Sequence, residues 1–389
     1  MKNFLSGQKK TLRRRRSGAR QTPSWWPEWQ RNLPPMDKVF LSMTLGLCVF
    51  GLLMVYDASV VTAHRQFGDP YFFLKQQFMW LCLGLAGMMV MSRMPLSWWQ
   101  RNSRKFLYIT IALLILVLLG DKTLGARRWL TIAGFSLQPS ELAKITYAAY
   151  ISDVFLNPKT AFKEFLVASA VVMGLVMLQP DLGTTMVLGG VGMTIFWVAG
   201  AQLKQFLGLI GVGVMGVLGL IISSPYRLNR LTTFLNADAD PLGTSYHVRQ
   251  ILLAVGSGGW FGLGLGQSRQ KYAYLPEVAA DSIFAVIAEE LGFIGAGLLV
   301  VILTLFFIRG IRIAARAVNP YAKLFGTGLI TSLAIQAFVN LAAMVAIVPL
   351  TGIPLPLISY GGSSLVVSLL AIGILLNISR DPQAYQQRK

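Results

Sequence analysis

The chain has 389 residues, of which 54% are hydrophobic and only 13% charged, with a mean hydropathy of +0.58. A soluble domain carries about 25% charged residues, so the soluble globular class is excluded. The formal charge is +19, and the two cysteines, Cys48 and Cys82, both fall in apolar runs, which argues against a disulfide framework or a zinc site.

Ten of the 35 basic residues precede Val39, including the run Arg13 to Arg16. Ahead of a membrane segment, such a tail is read as a cytoplasmic anchor beside anionic lipid rather than as a nucleic-acid arm. It is too long and polar for the start of a cleaved signal peptide, and no small-residue cleavage site follows. Apolar stretches suited to membrane helices, which need about 20 residues, then follow near 39–56, 72–91, 106–120, 142–155, 165–178, 183–198, 206–222, 282–308, 324–348 and 360–378. With the tail inside, the inner segments hold 24 of the basic residues and the outer ones 9, as the positive-inside rule requires. The expected fold is therefore an all-α polytopic membrane protein of about ten transmembrane helices. Both termini are cytoplasmic, and a large external loop, 223–281, lies between helices 7 and 8. Residues 1–37 are expected to form a disordered basic tail, 38–380 one transmembrane domain and 381–389 a cytoplasmic C-terminal tail. No internal duplication is visible, which removes the inverted-repeat signature of many transporters.

This topology gathers four polar segments outside: 121–141, 179–184, 223–281 and 349–364. In the first, Arg127 and Arg128 stand beside Trp129. Guanidinium forks suit phosphate oxygens, although two ordinary loop arginines fit as well. Glu141 and Lys144 are three apart at a helix start and fit a plain ion pair equally. The large loop carries Arg227, Arg230, Arg249, Arg269 and Lys271 and closes on Glu277 and Asp281. Asp281 precedes an apolar helix, where it is either a catalytic carboxylate at the membrane surface or merely a helix cap. Glu289 and Glu290 follow about 12–14 Å down that helix and are expected to be paired or to face a polar interior. The six glycines of Gly256 to Gly266 lack the spacing of a nucleotide loop and suit a backbone bending closely at a membrane surface or against a glycan. Ser359-Tyr-Gly-Gly-Ser-Ser364 has no histidine arranged beside it and does not support a serine hydrolase.

From residue 37 to 380 the chain resembles the SEDS family of shape, elongation, division and sporulation proteins, the polytopic peptidoglycan glycosyltransferases. The resemblance rests on Gly125-Ala-Arg-Arg-Trp129, Gln138-Pro-Ser-Glu-Leu-Ala-Lys144, Gln179-Pro-Asp-Leu-Gly-Thr184, Tyr274-Leu-Pro-Glu277 with Asp281, Ala288-Glu-Glu-Leu-Gly292 and Pro354-Leu-Pro-Leu-Ile-Ser-Tyr-Gly-Gly-Ser-Ser364. The stretch Lys271 to Glu277 and the basic tail are more similar to the division branch than to the elongation branch. One departure stands out. Many members read Pro-Glu-x-His-Thr-Asp-Phe where this chain reads Pro276-Glu-Val-Ala-Ala-Asp-Ser282, keeping the carboxylate but losing an imidazole, a hydroxyl and an aromatic ring.

The resemblance implies polymerisation of lipid II into a growing glycan strand on the outer face of the bacterial cytoplasmic membrane, at the division septum. It implies Asp281 as general base. Arg127, Arg128, Arg249 and Lys271 are nominated for substrate or pyrophosphate contact, with Glu277 and Lys144 in support. The metal site is unknown; magnesium or manganese is compatible, although no compact ligand spacing identifies one. Implied partners are a class B penicillin-binding protein, division-complex regulators and membrane lipid, with no nucleic acid. The prenyl tail requires a lipid-facing groove beside the large loop. The alternatives are a flippase for the same lipid-linked precursor and a non-catalytic division scaffold.

Overall fold

A computed structural model describes residues 35–120, 127–132, 135–157, 160–222, 228, 232, 234, 245–272 and 277–380. The expected tails therefore lie almost wholly outside the described residues, as do Arg227 and Arg230. One compact unit spans Met36–Lys389. Its helices are α1 (Lys38–Phe67), α2 (Phe72–Met91), α3 (Leu96–Leu119), α4 (Pro139–Val154), α5 (Ala161–Leu178), α6 (Leu182–Val198), α7 (Leu203–Ile222), α8 (Tyr246–Ser257), α9 (Ile283–Ala315), α10 (Pro320–Met344) and α11 (Gly362–Ile378). Every stretch expected to span corresponds to one of them. Six are long and apolar enough to cross a membrane: α1, α2, α3, α5, α9 and α10. Three more, α6, α7 and α11, are apolar over shorter runs.

Several helices outrun their apolar stretches. α1 continues to Phe67, where Gly68 adopts φ 68° and donates its N–H to His64 O; α3 begins ten residues before Phe106, at the polar turn after Pro95. Hydropathy marks where a helix leaves hydrocarbon, whereas backbone hydrogen bonding continues until a cap or breaker stops it. Capping fixes other ends: Asp37 accepts from Phe40 N, Asp181 from Thr184 N and Asn319 from Tyr321 N. The two polar loops also hold structure that hydropathy missed. β1 (Leu130–Ile132) and β2 (Phe135–Leu137) form a small antiparallel hairpin pairing Leu130 with Leu137, its two-residue connection being the length hairpins favour. α8 is an amphipathic helix inside the large loop, burying Val248, Ile251 and Ala254.

The core is built on α4, α10 and α11, and thirteen of the sixteen residues of α4 are buried, so its charged groups sit inside protein rather than lipid. α7 is the opposite case. Among the described residues it packs mainly, and lightly, against α6, Leu203, Leu207, Val212, Met215 and Ile222 are exposed, and a Cβ on any of its five glycines would meet open space. At the end of the bundle where α1 begins, Asp37 takes two hydrogen bonds from Arg309 and receives none of the chemistry sought at the other end.

Candidate active site

The four polar segments meet. Gln138, just before α4, donates to Asp181 Oδ2 at 3.2 Å, and its N–H reaches Ser363 Oγ. Arg128 donates to Gln179 O and Pro180 O. Tyr360 N donates to Ala279 O at 2.8 Å, and Asn340 of α10 divides its amide between Asp281 O and Ile353 O, both at 2.8 Å. The last of these segments enters the bundle rather than lying on its surface. Ile353, Leu355, Leu357 and Ile358 are buried, and at Gly51 of α1 a Cβ would stand 2.5 Å from Leu357 O, so glycine is what lets the segment enter the bundle. Four hydrophobic residues in it outweigh its glycines and serines.

Asp281 sits at the head of α9, partly exposed. The N-cap position is Ser282, whose side chain makes no capping hydrogen bond, and Asp281 stands one residue before it. Ser282 Oγ lies 3.4 Å from Asp281 Oδ1 and 2.9 Å from His247 Nε2 on α8. A Cβ on Gly352, which adopts φ 71°, would stand 3.9 Å from Asp281 Oδ2, so the entering loop leaves only that much room. Glu277 is exposed with φ 47°, a conformation that L side chains rarely adopt, and its carbonyl accepts from Ala280 N and Ser282 N to form the turn that aims Asp281.

The nominated cations divide by circumstance. Arg249, on α8, is half-buried and makes no ion pair among the described residues. Arg127 donates to Leu118 O, and Arg128 to the carbonyls closing α5, so each guanidinium supplies a helix C-terminus with a donor. Lys144 is buried, paired with Glu141 Oε2 at 2.8 Å and donating to Gln336 Oε1 at 2.6 Å; the plain ion pair is what forms. Lys271 is 3% exposed and reaches Asp57 Oδ1 at 3.0 Å and Glu290 Oε1 at 3.2 Å. Burial alone pulls the Lys271 ammonium down, yet Asp57 and Glu290 outweigh it and hold its pKa above the usual lysine value. Phosphate contact by Lys144 or Lys271 would require displacing these partners.

Glu289 and Glu290 end the first half of α9, which breaks at Gly292 (φ 68°, ψ −171°). In a continuous helix their carbonyls would accept from Phe293 N and Ile294 N. Instead they accept from Leu263 N and Gly264 N, while Phe293 N and Ile294 N donate to Gly259 O and Trp260 O. The glycine-rich segment thus bends against the broken helix, and a Cβ on Gly262 would fall 2.0 Å from Glu290 O. Its continuation binds the carboxylates through Gly266 N, Ser268 N, Arg269 N and Ser268 Oγ. Sequence reading missed Asp57, His247, Gln336 and Asn340. Each is a polar residue inside or beside an apolar helix, the one signal that pointed to them.

Among the described residues no group of three or more His, Cys, Asp or Glu side chains is placed to hold a metal ion. A cavity of about 410 Å³ lies elsewhere, between Ser97, Gln100, Arg101, Ser103, Arg104 and Asp153, at the opposite end of α3 from Arg127.

Comparison with known proteins matches residues 38–384 to the family model described as Cell cycle protein, covering FtsW, RodA and SpoVE. Stage V sporulation protein E of Bacillus subtilis is 42% identical over 88% of this chain and 97% of its own length. The probable peptidoglycan glycosyltransferase FtsW of Trichlorobacter lovleyi is 40% identical over 89% of this chain and 94% of its own. Among solved structures, a chain from a peptidoglycan synthase complex, described as showing the structural coordination of polymerization and crosslinking, superposes with a TM-score of 0.75 at 25% identity, covering 90% of this chain and 99% of that one.

Proposed function

This chain belongs to the FtsW, RodA and SpoVE family of cell cycle proteins, the SEDS family, and we propose that Asp281 is the base with which it polymerises lipid II. The chain is a multi-pass membrane protein and a peptidoglycan glycosyltransferase. What carries the assignment of the base is the convergence of polar segments on Asp281: its backbone is held by Asn340, the turn before it by Glu277 and Tyr360, and its carboxylate is left beside the glycine of the entering loop.

The acceptor hydroxyl of one sugar attacks the anomeric carbon of the lipid-linked donor. A carbon–oxygen bond forms there as the bond to pyrophosphate breaks, the electron pair leaving with the phosphate. Asp281 takes the hydroxyl proton, and one displacement inverts the donor configuration. No second carboxylate is required, because pyrophosphate departs once its charge is neutralised. Arg249 is the group best suited to that task, being half-buried, on the helix beside Asp281 and without an ion pair among the described residues. Arg127 and Arg128 border the site while holding helix ends. Lys144 and Lys271 support it from within, each held by carboxylates. The prenyl tail is assigned to the lipid-facing side of α7, where a Cβ on any of its five glycines would meet nothing within 4 Å.

The reaction is placed at the outer face of the bacterial cytoplasmic membrane and at the septum, with a class B penicillin-binding protein and division regulators as partners. The likeness to a synthase complex and to a named FtsW supports that assignment. The test is polymerisation of labelled lipid II by the protein in lipid with its transpeptidase. Asp281→Asn should lower the rate by about 10²- to 10⁴-fold with folding and complex formation intact. Normal polymerisation by the variant would remove Asp281 as base; no polymer from the native complex would favour a flippase.

A further inference from the structure

Asp281 must lose the captured proton before the next sugar is added, and the residues beside it suggest where that proton goes. Ser282 Oγ stands between Asp281 Oδ1, at 3.4 Å, and His247 Nε2, at 2.9 Å, and His247 lies on α8, half-buried and packed across from the head of α9. We propose that Ser282 and His247 form a proton relay that resets Asp281 after each transfer. The inference rests on the reading of Asp281 as base. After the acceptor hydroxyl has given up its proton, the Asp281 carboxyl donates it to Ser282 Oγ. The serine hydroxyl passes its own proton to a neutral His247 Nε2, and the imidazolium releases a proton to water from its half-exposed ring. No oxidant or co-reactant is needed, and the proton count closes.

The 3.4 Å separation is longer than a formed hydroxyl hydrogen bond, and catalytic hydrogen bonds commonly tighten only with substrate in place. The groups beside Asp281 come from two elements. Positions 279 and 280 are both alanine, and the imidazole and hydroxyl near Asp281 come instead from α8 and from Ser282. Among the described residues, Tyr246 and Arg249 share the helix of His247, and Glu277 and Asp281 lie on the turn leading into α9. Glu289 and Glu290 lie at the far end of that half-helix, bound by Lys271 and Asp57.

The test is the pH dependence of lipid II polymerisation by the reconstituted protein with its transpeptidase. The native rate should fall as pH drops and His247 becomes protonated, because an imidazolium accepts nothing. His247→Gln keeps a hydrogen-bonding side chain of similar reach but cannot titrate. It should lower the rate about tenfold at neutral pH, within what one proton-transfer group contributes, and abolish that limb. Ser282→Ala should do the same. A His247→Gln protein that retains the native rate and limb would overturn the relay, as would one that is slower with the limb unchanged, since that marks a packing role. Asp281→Asn separates the two readings: activity surviving there removes the base itself, whereas its loss together with an unaltered His247→Gln removes only the relay.

Discussion

The two halves of α9 share one hydropathy and have different occupations. From Ile283 to Glu290 every residue is buried, including two carboxylates. Beyond Gly292 the buried residues form the stripe Ala296, Leu299, Leu303, Phe306, Gly310 and Ile313, at alternating three- and four-residue steps, with Ala314 beside its end, while Phe293, Ile294, Leu298, Val301 and Leu305 are exposed. The long half is an anchor with one face for protein and one for hydrocarbon. The short half is interior on all sides, with Asp281 at its entrance and a bound carboxylate pair at its exit. Apolarity alone does not say whether a helix is covered by lipid or by protein; the polar residues at its ends do.

The sharpest way to break the contrast is to remove the cation at the exit. Lys271→Met leaves Asp57 and Glu290 facing each other without a counter-charge. Stripping one partner from a buried pair costs about 3–5 kcal/mol, which should appear as a large fall in thermal stability in detergent or nanodiscs. Lys271→Met combined with Glu290→Gln should recover part of it, and no recovery would mean that packing of the lysine stem, not charge, holds the exit. Because its partners raise the Lys271 pKa above that of an unfolded lysine, the stabilisation is fully present below 10.5 and is lost only as pH rises through the folded value. A stability change between pH 6 and 8 in the native protein therefore belongs to other groups.

Next in size is the break itself. Gly262→Ala places a Cβ 2.0 Å from Glu290 O at φ 83°, and the left-handed penalty plus the forced backbone shift come to about 2–4 kcal/mol. The shift would pull the loop off the carbonyls of Glu289 and Glu290, so polymerisation should fall with stability. Unchanged melting and activity in Gly262→Ala would show that the segment is not what completes the broken helix.

Sequence made the spans legible because their apolar runs are long, and it marked Glu289 and Glu290 as paired or facing a polar interior because charge at membrane depth is costly. The break at Gly292 was not legible: Glu-Leu-Gly-Phe sits in the middle of an apolar run, and one glycine costs a helix only about 1 kcal/mol. Its partner segment lies thirty residues earlier and looked like a surface loop. Asp57 escaped notice because α1 outruns its apolar stretch, and His247 because α8 lies in a loop read as irregular. In each case the deciding fact was a contact between distant segments, which neither periodicity nor local composition encodes.

The smallest effect is expected where the long half repeats the same chemistry without the same surroundings. Gly297 lies five residues past the break, in regular helix, and a Cβ there meets nothing within 4 Å. Gly297→Ala removes conformational freedom from the unfolded chain and clashes with nothing, so it should leave polymerisation unchanged and raise stability by up to about 1 kcal/mol. Measured beside Gly262→Ala, it applies one methyl group to each side of the comparison. If Gly297→Ala destabilised the protein or slowed polymerisation, the long half would be doing more than anchoring: its open face would be a contact surface in the working complex. If it is silent, the sensitivity of this helix ends at Gly292, on the side that holds Asp281 and the bound carboxylate pair.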